Sequence, residues 1–76
     1  MENNREEFIY QVLDRMRSDC EYYLGYGNRQ SKWLYGKNPT DHIQIMKELF
    51  NKLPETPEWL TMEDIERYAE LMNANL

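Results

Sequence analysis

Apolar residues from Ile9 onward fall at Ile9, Val12, Leu13, Met16, Cys20, Tyr23 and Leu24, with Asp14, Arg15, Arg17 and Glu21 off that line. Steps of three and four keep such residues on one stripe of a 3.6-residue helix, so the pattern predicts an amphipathic first helix over about 4–24. Asn3 and Asn4 each precede a glutamate by three residues (Glu6, Glu7), a capping-box-like start. Gly25 follows the stripe at the point where helices commonly end in a left-handed residue, and Gly27-Asn28 repeats that signal. A shaped turn over Gly25, Tyr26, Gly27, Asn28 and Arg29 is therefore expected. Beyond it Trp33, Leu34 and Tyr35 form an apolar burst too short for periodicity to separate a helical turn from an extended segment.

Asn38-Pro39-Thr40-Asp41 reads as an N-cap, a proline at the first helical position and an acid in the first turn. A second helix over about 39–53 follows, with His42, Ile43, Met46, Leu49, Phe50 and Leu53 on its apolar side and Pro54 as its stop. Thr61 caps a third helix over about 62–73, with Leu60 placed to staple onto Ile65 and Met62, Ile65, Tyr68, Ala69 and Met72 as its stripe. Two prolines stiffen the turn over 54–60, and Trp59 is expected to anchor it against the core. These elements make one all-α domain over residues 1–76: a small three-helix bundle with an irregular, Gly-rich connection between helices 1 and 2, which pair antiparallel.

At 76 residues such a core yields only about 3–5 kcal/mol, and small domains often add a staple. Cys20 is the sole cysteine and His42 the sole histidine, so neither an intrachain disulfide nor a closed zinc site is available, and no metal or cofactor is expected. The charged start and the lack of a long apolar run predict neither signal peptide nor spanning helix, hence a cytoplasmic protein without membrane association. Net charge is −5, but residues 25–38 hold Arg29, Lys32 and Lys37 and no acid, which leaves −8 for the remainder. General attachment to a phosphate backbone is disfavoured by that balance.

Cys20 lies on an apolar stripe and reads as a small packed hydrophobe, and His42 as a hydrogen-bonded residue at the core edge. A Cys20–His42 pair in an enzyme is the alternative, without an evident oxyanion site. Asp14, Glu21, Glu63, Asp64 and Glu66 read as solvated faces and helix-start charges rather than as paired carboxylates of a catalytic or two-metal site, and the acidic third helix offers mimicry of a phosphate backbone as a further reading. Residues 25–38 carry the best candidate surface, with Tyr26, Arg29, Lys32, Trp33, Tyr35 and Lys37 as binding residues on a turn shaped by Gly25, Gly27 and Asn28. The competing structural reading pairs Arg29 with a carboxylate such as Asp19 and uses Trp33 and Tyr35 to cover the open end of the core.

The run from Ser18 to Arg29, Asp41-His42-Ile43 with Met46-Lys47-Glu48-Leu49, Leu53-Pro54, and Pro57-Glu58-Trp59-Leu60-Thr61 before Ile65 and Tyr68 resembles the large polyvalent protein-associated domain of the eleventh type. The matching positions are Asp19, Cys20, Tyr23, Leu24, Gly25, Gly27, Asn28, Arg29, Met46, Trp59 and Leu60, while Ser31-Lys32-Trp33-Leu34-Tyr35 departs from the pattern. The resemblance implies a mobile-element origin, since such domains stand alone or as modules of very large proteins of phages, plasmids and conjugative elements. It also implies a role in establishing incoming DNA or countering host defence. The expected function is non-enzymatic: a monomer or weak homodimer that binds a protein through residues 25–38, with a nucleic-acid-binding or DNA-mimic accessory as the alternative.

Overall fold

The computed structural model describes residues 2–74; the side chains of residues 2–5 and of Trp33 lie outside the described residues, and with them the expected capping roles of Asn3 and Asn4. Three helices follow one another: α1 (Glu2–Leu24), α2 (Pro39–Asn51) and α3 (Met62–Leu71), with a 3-10 turn at Ser31–Trp33 inside the first connection. α1 starts before residue 4, and α2 and α3 each end two residues short of their expected limits. The apolar burst after Gln30 is thus a single tight turn that passes into extended backbone at Leu34.

Helix starts follow the local chemistry. Asn38 is extended, its side-chain oxygen accepts from the Asp41 amide at 2.8 Å, and its Nδ2 donates to the Asp41 carboxylate at 2.9 Å. Thr61 and Asp64 form a reciprocal capping box, each side chain taking the other's amide at 3.1 Å. Such pairs satisfy amides that the first helical turn leaves without partners, at about 1 kcal/mol each. Leu60 and Ile65 on either side of the second box are both fully buried, as a hydrophobic staple requires.

The stripes meet in one core: Leu13, Met16, Cys20 and Tyr23 from α1, Ile43, Met46 and Phe50 from α2, Ile65 and Met72 from the α3 side, with Leu34 and Leu60 entering from the connections. α2 is the central element and packs on both other helices. Its crossing with α1 is marked by His42 against the Met16 carbonyl at 3.0 Å and Cys20 against the Met46 sulfur at 3.8 Å. Farther along, the Tyr10 hydroxyl donates to the Glu55 carbonyl at 3.0 Å, so the chain leaving α2 has travelled back toward the start of α1.

Trp59 does not anchor the proline turn in the core. It stays 42% exposed, with the Arg17 guanidinium 5.7 Å from its ring centre, and Leu60 takes the buried position. A cation over an indole face is favourable while the ring's edge stays in water, whereas burying the whole indole would have stranded its N–H. Among the described residues no helix is long and apolar enough to cross a membrane.

Candidate functional site

The connection between α1 and α2 begins by using up the carbonyls that a helix leaves unpaired at its C-terminus. The Gly25 amide donates to Glu21 and Tyr22, the Gly27 amide to Tyr22 at 2.6 Å, and the Arg29 amide to Tyr23 at 2.9 Å. The left-handed residues of this turn are Asn28 (φ 52°) and Arg29 (φ 58°), not Gly25 or Gly27, which corrects the expected glycine-based C-cap. Asparagine tolerates that conformation; an arginine does so at a cost of about 1–2 kcal/mol.

Arg29 is held there by a contact far off in sequence. Its guanidinium donates to the Leu71 carbonyl at 3.0 Å, one of the unpaired acceptors at the negative end of α3. The expected pairing with Asp19 is not made. Asp19 accepts from the Tyr35 amide at 3.2 Å and lies 4.0 Å from Arg15. Arg29 therefore ties the connection to α3, while Asp19 ties it to α1.

The second half of the connection is closed from within. Leu34 is buried in the core, whereas Tyr35 beside it is 48% exposed, so it is Leu34 and not Tyr35 that enters the core here. The Lys37 amide donates back to Leu34 at 3.0 Å, with Lys37 itself left-handed (φ 72°). Gly36 lies so close to the start of α2 that a Cβ there would stand 2.4 Å from the His42 Cα and 2.6 Å from its nitrogen. Only glycine fits such a gap, because the obstructing atoms are backbone. No local turn rule marks Gly36, so a reading of the chain alone passes over it.

His42 completes this closure. Its Nδ1 accepts from the Gly36 amide at 3.1 Å and its Nε2 lies 3.0 Å from the Met16 carbonyl. Since an amide can only donate, Nδ1 must be bare and the ring proton must sit on Nε2, which fixes the neutral tautomer. Burial lowers the affinity of His42 for a second proton, against the opposing pull of the Met16 carbonyl and of Asp19. Cys20 is sealed one helical turn away, its thiol pushed up to about 12 by burial and then by the nearby Asp19 and Glu21. A thiol so raised carries no useful thiolate at neutral pH.

What remains outside is aromatic and basic. Tyr26 is 89% exposed, and its ring stacks at a tilt on that of Tyr22, 6.5 Å away. Tyr22 was not among the expected site residues; its position four before Tyr26, off the apolar stripe of α1, was the available signal. Lys32, Tyr35 and Lys37 are exposed along the same connection, and the Trp33 side chain lies outside the described residues. The structure thus separates the expected set: Tyr26, Lys32, Tyr35 and Lys37 face outward, and the Arg29 head group is engaged on α3.

Charged side chains elsewhere serve the bundle. Arg17 bridges Asp14 at 2.8 Å and Glu21 at 3.3 Å, and Glu21 also accepts from the Tyr68 hydroxyl at 2.9 Å. The Asp14 hydrogen bond holds Arg17 above its ordinary value, and burial with the Glu21 bond pushes Tyr68 up to about 12. A shallow cleft of about 340 Å³ opens beside this cluster between Tyr10, Gln11, Asp14 and Trp59. Among the described residues no three His, Cys, Asp or Glu side chains are grouped to hold a metal ion.

Residues 6–72 match the family model of the large polyvalent protein-associated domain 11. No curated protein and no solved structure matches the chain.

Proposed function

The chain belongs to the large polyvalent protein-associated domain 11 family, and on that premise we propose that it is a non-enzymatic interaction module of a phage, plasmid or conjugative element that binds a protein through residues 25–38. The observation that carries this reading is the near-complete exposure of Tyr26 on a connection whose backbone is fixed at both ends. A small core has every reason to bury a tyrosine, and an aromatic held rigidly in water is the usual form of an interface anchor. Rigidity adds to affinity because little conformational freedom is left to lose on binding. The sealed Cys20 and the fully engaged His42 support the non-enzymatic part of the reading.

A photo-reactive phenylalanine in place of Tyr26 or Tyr35 tests it in cells that carry the element. The expected result is one discrete protein adduct from both positions and none from the same probe in place of Glu63, on the outer face of α3. Equal labelling from all three positions, or an adduct with nucleic acid alone, overturns it.

A further inference from the structure

Independently of residues 25–38, we infer that the cleft between α1 and the turn over 54–60 is a second contact site, which receives an arginine side chain of a partner protein.

Both segments build the cleft. Tyr10, Gln11 and Asp14 of α1 and Trp59 of the turn line a space of about 340 Å³. The Tyr10 hydroxyl donates to the Glu55 carbonyl at 3.0 Å, which fixes the tyrosine against the turn. Such a volume lies at the low end of the roughly 300–1,000 Å³ of ligand pockets, enough for one long side chain. Of the lining residues two are aromatic, one is a carboxylate and none is basic.

The sign of the guest follows from the charges around it. Residues 10–14 and 54–60 together hold Asp14, Glu55 and Glu58 and no base. Arg17 is not among the lining residues, and its charge is met by Asp14 at 2.8 Å and Glu21 at 3.3 Å. Its bond to Asp14 uses Oδ1 of a side chain that stays 59% exposed, so a second donor can reach the same carboxylate.

The rings select the kind of cation. Trp59 already carries one guanidinium, that of Arg17 at 5.7 Å from its ring centre, yet it stays 42% exposed. A planar guanidinium stacks on an aromatic face while its edge donates to a carboxylate, a combination that a compact ammonium lacks. An incoming arginine can therefore lie against the Trp59 or Tyr10 ring and bond to Asp14 at once.

The test uses the full chain and the fluorescence anisotropy of a labelled peptide of alternating glycine and arginine. Its counterpart carries citrulline for arginine, which keeps the shape and removes the charge. Binding about tenfold tighter to the arginine peptide is expected, with a severalfold loss for Asp14→Asn and for Trp59→Leu. Glu63→Gln, which removes the same charge from an exposed position on α3, should change nothing. Thermal unfolding shows whether each variant is intact. On the unaltered chain the indole N–H resonance of Trp59, assigned with the help of Trp33→Phe, should shift as the peptide is added while that of Trp33 stays in place. Equal binding of the two peptides, an equal loss for Glu63→Gln, or a Trp59 resonance that does not move overturns the site. Free arginine that competes as well as the peptide, residue for residue, assigns the cleft to a small molecule and overturns the protein partner. Each of these outcomes leaves the reading of residues 25–38 to the cross-linking from position 26.

Discussion

The two sides of the connection between α1 and α2 obey opposite rules. Its inner side, Leu34 and Gly36, is fitted to the core and to the backbone of α2 with no space to spare. Its outer side, Tyr26, Lys32, Tyr35 and Lys37, is exposed. A core lid and a binding surface are thus not alternatives for these residues. Alternate residues face the core and the solvent, so a lid and the proposed binding surface can share one segment, and the inner fit is what holds the outer side still.

The largest effect expected from breaking this arrangement comes from Gly36→Ala. Its methyl would fall within 2.4–2.9 Å of three His42 atoms, two of them backbone. Overpacking of that kind costs about 3 kcal/mol, nearly all the stability a bundle of this size has, so urea unfolding should find the variant largely unfolded. A midpoint equal to that of the parent protein would mean that the connection is not docked on α2.

Neighbouring residues sharpen the contrast. Leu34→Ala should lose about 2 kcal/mol through the cavity it leaves, and Tyr35→Ala under about 1 kcal/mol, both read from urea midpoints. Similar losses at the two positions would erase the distinction between inner and outer sides.

Acid should loosen the inner side specifically. An unfolded histidine takes its second proton near the ordinary value of 6.5, whereas folded His42 resists it to lower pH. Its contribution is therefore complete above pH 6.5 and drains as pH falls from there toward the depressed folded value, at no more than about 1.4 kcal/mol per pH unit. Protonation would also set an N–H on Nδ1 against the Gly36 amide. Unfolding curves at pH 7.5 and 5.5 should show the loss, and His42→Gln should flatten it; a parent curve flat across that window contradicts the tautomer assigned here.

The effect at Arg29 is small as well. Arg29→Ala removes the hydrogen bond to Leu71 and keeps the left-handed backbone, for about 1 kcal/mol, while Arg29→Gly loses the same bond but relieves the backbone and should come out near neutral. Thermal unfolding of the two variants separates the cap from the strain.

Much of the bundle was legible in the chain because its signals are local. Asn38-Pro39 and Thr61 with Asp64 fix helix starts within four residues, and the apolar spacing fixes which faces turn inward. The connection was harder, since its determinants are tertiary. Gly36 is required by an α2 backbone that no local rule places beside it, Arg29 is occupied by a carbonyl 42 residues away, and Asp19 is taken by the Tyr35 amide. Glycines at Gly25 and Gly27 suggested a left-handed turn that Asn28 and Arg29 supply instead. Trp59 looked like the core anchor because it is large, but Leu60 fills the staple position without an N–H to satisfy.

Native-state hydrogen exchange at the Gly36 amide tests the central claim most directly, because that amide reaches His42 only when the connection is docked. Exchange with the same opening free energy as the Met46 amide in α2 is the result predicted, the connection and the bundle opening together. A Gly36 amide that exchanges orders of magnitude faster while Met46 stays protected would show a connection that opens on its own, and with it would fall the fixed connection on which the proposed function stands.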